Sequence, residues 1–259
     1  GGFENAPVWA ADNGAAISQN SWGYTAPGVF SQAVLDAIDY FNLNGGGTVL
    51  NGGISIFCAM NENSSGGYYP AYYSNTLAVA STNNNDQKSY YSNYGSWIDI
   101  SAPGGELHQV TERGVLSTLP GNTYGFYQGT SMATPHVSGV AALILSLVPG
   151  MLTAAELRDI LVSTTDNIEA LNPGYTGQMG SGRLNAYQAL LSAQQYLFPT
   201  AAFSASSSLI CTGMDATFID QTIVPVTSWS WSFPGGFPSS YFGQFPPPIH
   251  YPAPGFYDV

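Results

Sequence analysis

The chain has 259 residues, 44% of them hydrophobic and only 8% charged, with 30 glycines and 17 prolines. That composition describes a folded, loop-rich protein of one or two domains and excludes a disordered one. A formal net charge of −12 with four Lys and Arg in total excludes a polyanionic partner, since phosphate binding needs clustered cations; no nucleic acid is expected. No run reaches the roughly 18–20 uninterrupted apolar residues of a membrane helix, so no membrane span is expected. The opening GGFENAPVW has neither an initiating Met nor a signal peptide and reads as an internal point of a longer protein. Cys58 and Cys211 lie in regions of different composition, and two separate thiols are the simpler expectation.

In chain order, Val34, Ala37, Ile38 and Phe41 fall at helical spacing within 31–43, and the glycines at 45–47 end that helix. Short apolar runs at 48–50, 54–59, 76–80 and 97–100 predict strands buried on both faces. A second helix is expected over 131–148. Pro135 marks its start, because a proline is tolerated in the first turn, where its missing N–H is not needed. Thr153 and Glu156 form a capping box that opens a third helix, and a fourth begins near Asn185. This alternation predicts an α/β fold for 1–198, with a mainly parallel sheet and helices on both faces. From 199 to 259 charge nearly vanishes, and alternating runs such as SWSWSF predict a small β-sandwich. Lys88, Arg113, Arg158 and Arg183 all precede the boundary.

The segment GTSMATPH (129–136) places Ser131 at the start of the second helix, where unpaired N–H groups and the helix dipole favour negative charge. Gly129, Thr130 and Ala133 are small enough to let a substrate backbone approach. Ser131 is therefore a candidate nucleophile; by position alone the ordinary N-cap is the commoner role of such a serine, and the wider motif reverses that weighing.

GTSMATPH resembles the nucleophile signature of the subtilisin-like serine proteases. The similarity continues through SWG (21–23), CAMN (58–61), YPA (69–71) and SAPG (101–104), in the family's order, over about 1–197. The resemblance implies a subtilisin-like fold lacking its amino-terminal part, Ser131 as nucleophile and Asn61 as side-chain donor of the oxyanion hole. It also implies that Ser21, Trp22, Gly23, Tyr68, Tyr69 and Gly129 line the substrate. Met60 departs from the pattern, standing where the family generally has glycine.

Such a serine needs a histidine base and a carboxylate to orient it. His136 lies about 140° around the helix from Ser131, His250 lies in the second domain, and His108 is a lone loop histidine. Asp12, in AspAsnGly, mimics the family's Asp-Thr-Gly motif, yet no histidine follows it before SWG. The Asp and His are therefore expected upstream of Gly1. In the second domain, SWSWSFPGG and PGFYDV resemble a PKD domain, an Ig-like β-sandwich, truncated at its end; Trp229 and Trp231 are expected in its core. The PKD-like domain would contact protein or carbohydrate. No cofactor is required; the resemblance allows structural calcium, although no ligand loop identifies a site and Asn83–Asp86 reads as a solvated turn. The implied activity is peptide hydrolysis by a serine endopeptidase, secreted or at the surface of a bacterium and acting on polypeptides. The alternative is an inactive homologue or a secreted binding or adhesion module.

Overall fold

The computed structural model describes residues 2–108, 110–197, 201–222 and 226–259. The chain divides into two compact units, Gly1–Gln194 and Gln195–Val259.

The first unit is built on a four-stranded parallel sheet in the order β1 (Ile17–Asn20), β2 (Ile54–Cys58), β3 (Leu77–Thr82), β4 (Ile100–Pro103). Strands β2 and β3 are buried at every position, as a parallel sheet covered on both faces requires. On one face α2 (Gln32–Asn44) packs Val34, Leu35 and Ile38 into a cluster with Phe57, Ala78 and Ala80. Alternate strand residues point the other way, and the long helix α3 (Thr130–Leu147) packs against all four strands. With a mean hydropathy of 1.3 over 18 residues, α3 meets the length and composition of a membrane span. Its contacts with the sheet are those of a core helix. Thr153 caps α4 (Ala154–Ser163) through the expected box: Glu156 N donates to Thr153 Oγ1 at 3.2 Å and Thr153 N to Glu156 Oε2 at 2.8 Å. Helix α5 (Ala186–Gln194) closes the unit.

Several segments differ from the sequence expectation. No periodicity marks α1 (Asn5–Asp12), whose one buried residue is Ala11. Thr48–Leu50 is a turn, not a strand: Gly46 and Gly47 take φ of 100° and 55°, and Val49 N and Leu50 N both return to Gly46 O. The strand expected from 97 begins at Ile100, because Ile98 N closes a turn onto Gly95 O at 3.1 Å. An antiparallel hairpin, β5 (Val115–Leu119) and β6 (Thr123–Tyr127), fills a stretch that carried no prediction. Its turn holds Gly121 and Asn122 at φ 81° and 57°, the left-handed conformations that tight hairpins favour. Pro135 lies inside α3 instead of in its first turn.

Asn83–Asp86 is more than a solvated turn. Asn83 Oδ1 accepts from Asn85 N and Gln87 N, and Asp86 takes both its oxygens to Arg183 Nη1, at 2.8 and 2.7 Å. Arg183 also binds Asp166, which accepts from Asn185. One guanidinium thus ties the loop after β3 to the approach to α5.

The second unit contains three antiparallel pairs: β7 (Phe203–Ala205) with β9 (Phe218–Asp220), β8 (Asp215–Ala216) with β12 (Ile249–His250), and β10 (Ser230–Ser232) with β11 (Ser240–Phe242). Sequence alternation predicts an Ig-like sandwich; the described strands are only two or three residues long and form these separate pairs. They surround a core of Phe218, Trp231, Phe233, Ile249 and Tyr251. Trp229 packs against it and donates to Asp220 Oδ2 at 2.8 Å. Cys58 is buried in the first unit and Cys211 exposed in the second, both as free thiols.

Arg183→Ala should lower stability by about 1–2 kcal/mol, seen as a melting point about 2–8 °C lower. Asn185, with Arg183 next, holds the Asp166 carboxyl below its ordinary 3.8. This contribution is complete above that value and lost as pH falls through the lower folded one. Acid titration of wild type and variant should therefore converge at low pH.

Candidate functional site

Everything at the site follows from how α3 begins. Gly129 precedes the helix with φ 147°, a conformation that L side chains rarely adopt. Its N–H is doubly held, by Gly104 O at 3.1 Å and by the buried Tyr91 hydroxyl at 2.9 Å. A side chain on Gly104 would strike Gly129 O, at 2.6 Å from its Cβ, so the family-like SAPG segment needs its glycine to admit this contact.

Most of the first-turn donors are taken up within the site. Thr130 N donates to Asn61 Oδ1 at 2.9 Å and Thr130 Oγ1 to the same oxygen at 3.0 Å, while Met132 N and Ala133 N return to Gly129 O. Two donors have no acceptor among the described residues: Ser131 N and Asn61 Nδ2. Because Thr130 fixes the carboxamide through its oxygen, the amide nitrogen is turned outward. A Cβ built on Gly129 would lie 3.6 Å from Ser131 N and 3.8 Å from Asn61 Nδ2. Both donors therefore border one small space, kept open because residue 129 has no side chain. Their arrangement suits a developing oxyanion.

Pro135 shapes the other side of Ser131. Without an N–H it cannot bond the carbonyl four residues earlier, which is that of Ser131. That carbonyl instead accepts from Ser21 Oγ at 2.8 Å, and Ser131 Oγ in turn approaches Ser21 O at 3.4 Å. Gly23 lies where a Cβ would meet Met60 Sδ at 2.8 Å and Tyr69 O at 3.0 Å, and Tyr24 N donates to Tyr69 O at 2.9 Å. Ser21, Gly23, Asn61, Tyr69, Gly129 and Ser131 thus converge, drawn from four separate stretches. Trp22 is turned away: its indole stacks on Phe3 with centroids 4.3 Å apart, meets Phe57 edge-on and donates to Asn20 Oδ1. Tyr68 is buried, 6% exposed, while the Tyr69 ring lies against Phe30 and Tyr72.

No histidine among the described residues bonds Ser131. His136 Nδ1 sits 2.8 Å from Met132 O, His108 faces Glu106 and the Tyr90 ring, and His250 pairs with Asp215 in the second unit. Asp12 ends α1 and accepts from Tyr40 at 2.7 Å. The sequence carries no sign of the parts played by Tyr91 and Asn93, and it marks Thr130 only by its small size and Cys58 only as a thiol within CAMN. Burial pushes the Cys58 thiol up, opposed by hydrogen bonding with the Met60 backbone and with the Thr130 and Ser131 side chains, so a buried thiol lies beneath the serine. Only the motif position of Cys58 hinted at this; the others act through contacts that local pattern does not encode.

Ser131 thus stands in the first turn of a helix packed on the parallel sheet, beside two donors that have no acceptor among the described residues. The subtilase family model matches residues 3–188, and the chain belongs to the subtilase family. Thermitase of Thermoactinomyces vulgaris is 38% identical over 187 residues, a match covering 72% of this chain and 58% of that protein. An extracellular protease of Xanthomonas campestris is 36% identical over 66% of this chain and 31% of its own length. The solved structure of a protease from Pseudoalteromonas arctica superposes with a TM-score of 0.63 at 34% identity, covering 73% of this chain and 57% of that one. The chain thus spans between about a third and three fifths of these relatives' lengths.

Met60, in the glycine position, has φ 75°, which costs a non-glycine residue about 1 kcal/mol. Met60→Gly should therefore be more stable than Met60→Ala by about that amount in urea unfolding, both lacking the thioether. Equal midpoints would remove the strain account.

Proposed function

We propose that this chain carries the nucleophile and the oxyanion donors of a secreted serine endopeptidase. The reading is supported above all by the two unpaired donors, Ser131 N and Asn61 Nδ2, flanking one space beside the Ser131 hydroxyl. In it, Ser131 Oγ attacks the scissile carbonyl carbon and a base takes its proton. The carbonyl electrons move onto the oxygen held by the two N–H groups. The tetrahedral species then collapses, the amine leaves with a proton from the same base, and water hydrolyses the acyl-Ser131 ester.

The base and its carboxylate belong, in this proposal, to sequence upstream of Gly1. A polypeptide would run along Ser21–Gly23 and past Gly129, with Tyr69, and Tyr68 and Trp22 behind the walls, setting the side-chain space. Acyl transfer of this kind needs no cofactor, and calcium would serve structure alone. Secretion accords with the name of the Xanthomonas relative. The second unit would be an appended PKD-like module contacting protein or carbohydrate.

A fluorophosphonate should label Ser131 in the 259-residue chain no faster than free serine, because an unassisted hydroxyl is a weak nucleophile. The polypeptide extended upstream should be labelled stoichiometrically and should hydrolyse casein. Failure there would favour the inactive binding homologue. In the active form, Asn61→Ala should lower kcat by about 100- to 1000-fold with KM little changed, as expected for one transition-state donor. Gly129→Ala, which places a methyl group between the donors, should be at least as damaging.

A further inference from the structure

Lys88 is 8% exposed, and among the described residues no carboxylate pairs with it. Its Nζ instead donates to three oxygens: Asn63 Oδ1 at 2.7 Å, Ser89 O at 3.0 Å and Ser92 O at 2.9 Å. The Tyr94 and Tyr175 rings face it at 5.2 and 4.9 Å. Its main-chain N–H is held by Asn172 Oδ1 at 2.7 Å. A buried cation is costly unless its donors are satisfied and opposing charge or dipole surrounds it; here carbonyl dipoles and two aromatic faces do so.

The acceptor from outside its own loop, Asn63, lies two residues from Asn61. The segment 60–64 is otherwise fastened to the loop after Lys88. Asn93 Oδ1 accepts from Glu62 N and Ser64 N, Asn93 N donates to Met60 O, and Asn63 N donates to Tyr91 O. Asn63 itself is left-handed at φ 51°. It is held in that conformation by Tyr91 through its N–H and by Lys88 through its side chain.

We propose that Lys88 is a positioning residue for the oxyanion donor: its ammonium anchors Asn63 to the Ser89 and Ser92 carbonyls, and loss of its proton frees the Asn63 side chain, leaving the Asn61 segment held by Asn93 and Tyr91 alone. The inference rests on the role given to Asn61 above. An ammonium has three N–H donors for these three acceptors, whereas a neutral amine has two and turns a lone pair toward the third oxygen. Ser89 O and Ser92 O belong to the backbone around Lys88, so the Asn63 side chain is the partner free to swing away. Burial lowers the Lys88 ammonium to about 8, with Glu106 opposing, which places the switch within a mildly alkaline range.

The other groups around Lys88 are accounted for. Glu106 accepts from Tyr90 N and faces His108, Glu62 accepts from Asn93 Nδ2, and Asp86 is committed to Arg183. The phenols are those of Tyr94, Tyr175 and Tyr91, the last pushed up by burial. The unfolded chain binds the Lys88 proton more tightly than the folded one. Global stability therefore rises with pH between about 8 and the ordinary 10.5, while the Asn61 segment loosens. A purely structural ion pair would not divide the two in this way.

The test is carbon-detected NMR of the full chain, following the Asn61 and Asn63 carboxamides from about pH 6.5 to about pH 9.5 around the Lys88 value. In wild type both should shift with one midpoint near 8. In Lys88→Arg, charged throughout, both should keep their low-pH positions; in Lys88→Met both should sit at the high-pH positions at every pH. Asn63 titrating while Asn61 stays fixed would overturn the proposal, as would an unchanged midpoint in Lys88→Arg. Should Lys88→Met fail to fold, the arginine variant decides. The readout involves no catalysis, so it stands or falls separately from the proposed endopeptidase activity.

Discussion

The structure depends on the way the first turn of α3 distributes its hydrogen bonds. A helix start exposes several backbone N–H groups that must find acceptors. Gly104 O, the Tyr91 hydroxyl, Asn61 Oδ1 and Gly129 O take four of the positions from 129 to 133. What remains is Ser131 N, with Asn61 Nδ2 beside it because Thr130 holds the other end of the same carboxamide. The site is therefore what is left when every neighbouring donor has a partner. The oxyanion role proposed for it would rest on that selective incompleteness and on a glycine whose missing side chain keeps the space clear.

The sheet supplies the rigidity this requires. Residues 58–61 continue directly from the buried strand β2, and Gly104 follows β4, so two of the site's arms leave the carboxyl ends of parallel strands. Alanines at 78, 80 and 102, all at most 0% exposed, let the helices approach the sheet closely. Loop stiffness then comes from polar staples, chiefly Asn93 on the backbone of 62 and 64, which fix by hydrogen bonding what packing cannot reach.

Much of this was legible in the sequence where local chemistry decides it. Helical spacing in α2, the Thr153–Glu156 box and the apolar runs of β2 and β3 each carry their own signal, and the motif around Ser131 carries the helix start. The illegible parts are those fixed by distant partners. Thr48–Leu50 has strand-like residues, but the two left-handed glycines before it curl the chain. The β5–β6 hairpin exposes much of both strands and so lacks a clear apolar face. Pro135 was readable as a helix signal, yet its place inside the helix makes sense only with Ser21, far away in the chain, accepting the role of the absent N–H.

That last pairing links two positions that no local pattern connects. A helix with a proline at 135 leaves the Ser131 carbonyl to the hydroxyl of Ser21, just beyond β1, so the two positions are coupled through one hydrogen bond. Restoring an N–H at 135 would return that carbonyl to the helix ladder and make the hydroxyl at 21 redundant. Keeping the proline confines position 21 to side chains that can donate. The side chain that residue 21 can carry is thus constrained from within the helix, by a residue 114 positions further along the chain.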